Sequence, residues 1–150
     1  MYKKILVPLD GSTNDDIVLD HVKQLAKEFG SEITLILLFR LTPTDDPLEK
    51  QMQLEDGSSG WRAKGKAEKY LPELQKALSD AGVQANTEFL VVERPEPEAI
   101  VKYAEGNNFD LIVFANRERS PIGRFFFGNV EEKVRRRTGL PVLFVSERRK

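Results

Sequence analysis

The sequence predicts an α/β fold, a three-layer sandwich in which a five-stranded parallel sheet has helices on both faces. Short, continuous apolar runs alternate along the chain with longer stretches whose apolar residues recur at helical spacing. The runs are apolar at consecutive positions, as suits strands covered on both faces, rather than at every second one. Strand and helix signals follow one another as βαβαβαβαβ, the order that crossover connections between parallel strands produce.

Residues 4–9 make the first strand with Ile5, Leu6 and Val7, and Pro8 stands where pairing can stop. Asp10, Gly11 and Ser12 are turn formers, and Thr13 or Asn14 can cap the helix that follows. Asp15 and Asp16 suit the positive end of that helix. Val18, Val22, Leu25, Ala26 and Phe29 mark its apolar face, and Gly30 its stop. Residues 32–39 form a second apolar strand. Residues 40–60 hold Pro43, Asp45, Asp46, Pro47, Gly57 and Gly60 and leave little to pack. A mobile connection with a short helical turn around 48–54 is expected there. A long helix is expected over 61–81, with Ala67, Tyr70, Leu71, Leu74, Ala77, Leu78 and Ala81 as its apolar face. Pro72 is where it would bend, and Gly82 ends it.

A third strand follows over 85–92. Pro95 and Pro97 open a helix carrying Ile100, Val101 and Ala104, which closes at 106–108. The fourth strand is the apolar run 110–115. A polar loop with Pro121 and Gly123 leads to Gly128 and Asn129. Asn129 reads as an N-cap, with Glu132 three residues on as its partner in a capping box. Val130, Val134 and Arg137 share a helix face, Gly139 and Pro141 stop the helix, and 142–145 is another buried strand.

At 150 residues the chain makes one domain, 1–150, long enough for a sizeable core. With 23 Lys and Arg against 24 Asp and Glu, the net charge is −1, which points to neither nucleic acid nor an anionic membrane. No apolar run approaches the roughly 20 residues that span a bilayer. The start, Met1-Tyr2-Lys3-Lys4, runs straight into a strand without a signal-peptide pattern, so a cytoplasmic location is expected. The absence of Cys excludes disulfides, thiolate chemistry and Cys-ligated metal. The one histidine, His21, sits in an amphipathic helix, which argues against a dedicated zinc site. No Walker A sequence, nucleophile elbow or zinc-protease motif is present, so a protein that is not an enzyme is expected.

Two stretches carry a family resemblance. The opening Lys3-Lys4-Ile5-Leu6-Val7-Pro8-Leu9-Asp10-Gly11-Ser12 and residues 110–145 resemble the first strand and loop and the C-terminal half of universal stress proteins. The likeness covers nearly the whole chain. It implies a strand order of 3-2-1-4-5, in a fold like that of the adenine nucleotide alpha hydrolases. In nucleotide-binding members the loop after strand four carries a glycine, two residues, a glycine, nine residues, then glycine followed by Ser or Thr. Those positions here are Ala115, Glu118, Gly128 and Asn129, so the spacing is kept while a single residue matches.

In such a sheet, ligands bind where the strand order reverses, outside the carboxyl ends of neighbouring strands. That sets Pro8 and Asp10 opposite 116–128. By resemblance, Asp10 and Leu38 border an adenosine, the glycine positions admit ribose and phosphates, and Asn129 stands at the phosphate-contacting position. Ala115 adds only a methyl group. Glu118 puts a bulky anionic side chain where a polyphosphate would lie. Two unit charges about 4 Å apart repel by roughly 1 kcal/mol in water and several-fold more near a protein surface. Arg117, Arg119 and Arg124 are available either to offset Glu118 or to pair with it. The expectation is a degenerate site with weak or absent ATP binding. The alternative is a sensor of ATP or AMP, with Mg²⁺ and at most slow hydrolysis.

Structural alternatives stand beside these. Asp10 also serves as a turn former, Arg119 and Arg124 as solvated loop charges, and Phe125, Phe126 and Phe127 as packing. Arg135, Arg136 and Arg137 suit the negative end of a helix. The family commonly forms homodimers, and the short apolar stretch 140–146 is the edge through which a homodimer is expected. The function expected is that of a regulatory or protective stress-response protein acting on unidentified protein partners.

Overall fold

Ile5, Leu6 and Val7 are fully buried at consecutive positions, which places their strand at the centre of a sheet covered on both faces. The computed structural model describes residues 2–9, 14–115 and 128–145. Their order is β1 (Lys4–Pro8), α1 (Asn14–Phe29), β2 (Glu32–Arg40), α2 (Pro47–Met52), α3 (Ser59–Asp80), β3 (Ala85–Val92), α4 (Glu96–Gly106), β4 (Leu111–Ala115), α5 (Gly128–Arg137) and β5 (Val142–Val145). All pairings are parallel, in the order β3-β2-β1-β4-β5.

The pleat sends alternate residues into two cores. Ile5, Val7, Ile33, Leu35 and Val113 meet Val18 and Val22 of α1 and Ala67, Leu71 and Leu78 of α3. Leu6, Ile36, Ile112 and Phe114 meet Ile100 and Ala104 of α4 and Val134 of α5. Each fully buried Val, Leu or Ile contributes roughly 1.5–3 kcal/mol relative to exposure, so the central strands supply much of the driving force. Gly30 and Gly82, with φ of 66° and 84°, close α1 and α3 as left-handed residues. After α4 that conformation falls to Asn108 (φ 61°).

Several expectations are corrected. Phe29, in the last turn of α1, is 42% exposed, and its ring makes a T-shaped contact with Tyr2. Ala77 is exposed too. Residues 40–60 are more built than a bare connection. Asp46 caps α2 by accepting from the Leu48 N–H at 2.9 Å, and Gln53 bonds both backbone groups of Thr42. Ser58 caps α3 by accepting from the Trp61 N–H at 3.1 Å and donates its hydroxyl to the Gln53 carbonyl. Gly60 is required there, since a Cβ would lie 2.4 Å from the Gln53 carbonyl oxygen. The last helix begins at Gly128, so Asn129 is its second residue rather than its cap. Glu132 pairs with Arg135 and Arg136. Val142, Leu143 and Phe144 are half-buried, because β5 is an edge strand with a neighbour on one side only.

Candidate functional site

The gap between β1 and β4 is built by backbone pairing. The two strands pair only at Ile5–Leu111 and Leu6–Ile112. Beyond that point β1 continues with β2, through Val7–Leu35 and Pro8–Ile36, while β4 continues with β5 as far as Ala115–Val145. The sheet therefore opens between the carboxyl ends of β1 and β4. Pro8 helps to open it. The Lys3 carbonyl and the Leu9 N–H bond toward β2, whereas the Lys4 carbonyl bonds toward β4. Even-numbered residues of β1 thus face β4, and at Pro8 the donor that would extend that ladder is missing. At the opposite end the strands are fastened, where the Asp110 N–H donates to the Lys4 carbonyl and the Asp110 carboxylate accepts the Lys4 N–H.

Of the predicted site residues, Pro8 and Ala115 end strands at this gap, Leu38 lies on β2, Gly128 and Asn129 begin α5, and the rest lie outside the described residues. Pro8 is buried at the end of β1, and Ala115, 4% exposed, ends β4. The Ala115 methyl belongs to the core on the α1 and α3 side. Gly128 and Asn129 form the first turn of α5. Leu38 is two residues short of the end of β2, paired with Leu90 of β3 and packed on the α4 side of the sheet. β2 runs on past it to Arg40. Asp10, Arg117, Glu118, Arg119 and Arg124, with the three phenylalanines, lie outside the described residues.

Residues 1–146 match the model of the universal stress protein family. The chain belongs to that family. Universal stress protein MJ0531 of Methanocaldococcus jannaschii is 30% identical over 100% of this chain and 85% of its own length. The solved structure of MJ0577, from the same organism, superposes with a TM-score of 0.77 at 26% identity, covering 100% of this chain and 99% of that one. Two further universal stress protein structures share the fold at a TM-score of 0.65. One, at 22% identity, was solved in complex with cAMP. The other, from Archaeoglobus fulgidus at 21% identity, was solved with dAMP. Each covers 96% of this chain, and the cAMP and dAMP complexes are themselves covered to 96% and 98%.

One buried contact in this universal stress protein was not foreseen. Asp15, in the first turn of α1, is 1% exposed and accepts a hydrogen bond from the Tyr70 hydroxyl of α3 at 2.8 Å. It pins the start of α1, just after residues 10–13, to the helix beside it. Nothing local announces it: Asp15 reads as a charge for the helix dipole, Tyr70 as one more residue on an apolar face, and 55 residues separate them. Asp16, next in sequence, is exposed, as is His21. Among the described residues no cluster of three His, Cys, Asp or Glu is placed to hold a metal ion, and no helix is long and apolar enough to cross a membrane.

Proposed function

We propose that this universal stress protein is a regulatory, non-catalytic member of its family, homodimeric through β5, whose β1–β4 gap holds ATP weakly or not at all. The observation that carries the reading is Glu118 at the second glycine position of the phosphate loop. The other departures are mild. The Ala115 methyl is taken up by the core, so it leaves the gap open. Asn129 stands in the first turn of α5, where the helix dipole still favours an anion. Glu118 brings a negative charge to the strand of phosphates, and that penalty grows with the number of phosphates.

The same argument favours a second reading, a ligand of the AMP type. A single phosphate brings less charge for a carboxylate such as Glu118 to repel than a polyphosphate does. Relatives of this fold were solved with cAMP and dAMP, which supports the choice of ligand. Calorimetric titration with ATP and AMP, with and without Mg²⁺, on wild type and Glu118→Gly tests both. Wild type should bind ATP no better than weakly, and Glu118→Gly should gain at least tenfold, about 1.4 kcal/mol. Micromolar ATP binding by wild type would sink the first reading. AMP binding no tighter than ATP would sink the second.

A further inference from the structure

Two strands away from the β1–β4 gap, a groove of about 570 Å³ runs between the end of β3 and α4. That size lies within the range of small-ligand sites. Leu90 and Val92 form its strand wall, and Ala99, Lys102, Tyr103 and Gly106 its helix wall. The helix residues follow the spacing of one α4 face and extend it for about 10 Å at the α-helical rise. The groove exists because α4 and α5 cover the centre of their side of the sheet and leave β3 beside them partly bare, with Leu90 and Val92 half-buried.

Its polar groups are uneven. Glu93 is occupied by Lys50, 3.0 Å away. Arg94 and Lys102 both line the groove, and neither side chain makes an ion pair or hydrogen bond among the described residues. The Tyr103 ring is fixed against Phe109, centroids 5.8 Å apart. Burial, with Glu88 adding to it, raises the Tyr103 pKa above its ordinary value, so the phenol stays protonated and can donate. The groove thus offers an apolar floor, two uncommitted cations and a hydroxyl donor.

We propose that this groove binds a small anionic amphiphile, a free monocarboxylate with an unbranched apolar body, its head group held by Arg94, Lys102 and the Tyr103 hydroxyl. Arginine presents the planar fork that matches a carboxylate. The Glu88 carboxylate, whose charge reaches Tyr103, disfavours polyanions, which separates this ligand from the nucleotides discussed above. The side chains of Arg94 and Lys102 are exposed, so charge reversal at both leaves the fold intact.

Decanoate, kept monomeric, is the probe, with decanol as its neutral counterpart. Amide NMR shifts report the site, and calorimetry the affinity. Saturable decanoate binding should perturb Leu90, Ala99, Lys102, Tyr103 and Gly106. The double variant Arg94→Glu and Lys102→Glu should weaken it at least tenfold, and Tyr103→Phe several-fold, while decanol binding stays weak and unchanged. Saturating AMP should not displace decanoate. No saturable binding, equal affinity in the charge-reversed variant, shifts confined to the β1–β4 gap, or association only with anionic phospholipid vesicles would each overturn the proposal.

Discussion

At one edge of the sheet β3 runs for eight residues, and at the other β5 runs for four. Along β3, Asn86 and Glu88 are exposed, and the Asn86 amide is tied to the Glu32 carboxylate on β2. The Gln75 side chain of α3 donates to the Ala85 carbonyl at 2.9 Å, covering a group that faces outward from the ladder. Polar side chains and a covered carbonyl discourage pairing with a foreign strand. β5 carries neither device. Its Val142, Leu143 and Phe144 are apolar and half-exposed on both faces of the sheet. The Pro141 carbonyl bonds toward β4, so the backbone groups of Val142 and Phe144 point off the edge. Length alone would make β3 the hazard. The difference in composition makes β5 the strand with more to gain from a partner.

Val142→Pro gives the largest effect expected on that contrast. It removes an outward donor while leaving the β4 side of the ladder alone, since a proline is tolerated where its missing N–H faces away from the sheet. The wild-type chain should be a dimer at micromolar concentration by light scattering, and the variant a monomer with unchanged far-ultraviolet circular dichroism. A wild-type monomer would defeat the proposed interface, and a variant that remains dimeric would move it elsewhere.

The same contrast marks what the sequence makes legible. Continuous apolar runs identify β1, β2 and β4 because burial on both faces leaves no polar position to confuse the signal. Ala85–Val92 is read at its true bounds as well. β5 is read as buried because its composition is that of a core strand, and only the strand order reveals that one side lacks a neighbour. The construction of residues 40–60 rests on side-chain to backbone bonds such as Gln53 with Thr42, which periodicity cannot register. At the candidate site, the resemblance supplies positions, of which Pro8 and Ala115 end β1 and β4, while Asp10 and 117–119 lie outside the described residues. The Asp15–Tyr70 bond is invisible for a physical reason: a buried carboxylate and an exposed one share a sequence signature until the helix that covers them is in place.

Gln75→Ala tests how β3 is guarded, with a smaller effect. One hydrogen bond to a half-covered carbonyl is worth about 0.5–1.5 kcal/mol. Urea unfolding should show a midpoint lowered accordingly, with the slope unchanged. If Gln75 also closes the edge, the variant should self-associate more at high concentration. A variant with wild-type stability and wild-type association would mean that the exposed polar residues guard β3 without Gln75.

The smallest effect belongs to the charged face of α5, which backs β5. Val130 and Val134 face the sheet there, while Glu132 meets Arg135 and Arg136 in solvent, and Arg137 reaches Glu98 of α4 at 3.4 Å. The hydrogen bond from Arg135 holds the Glu132 carboxyl below its usual pKa, its charge and that of Arg136 adding to the effect against slight desolvation. A depressed carboxylate stabilises the fold above its unfolded pKa, and that contribution is lost as pH falls through the folded value. The pair is open to solvent, so salt screens it. Glu132→Gln should therefore shift the melting temperature only slightly at neutral pH, and not at all at high salt. Wild type and variant should converge in acid, where Glu132 is protonated. Association should be the same in both. If Glu132→Gln changed the dimer instead, charge on α5 rather than the apolar edge of β5 would select the partner, and the contrast between the two edges would lose its force.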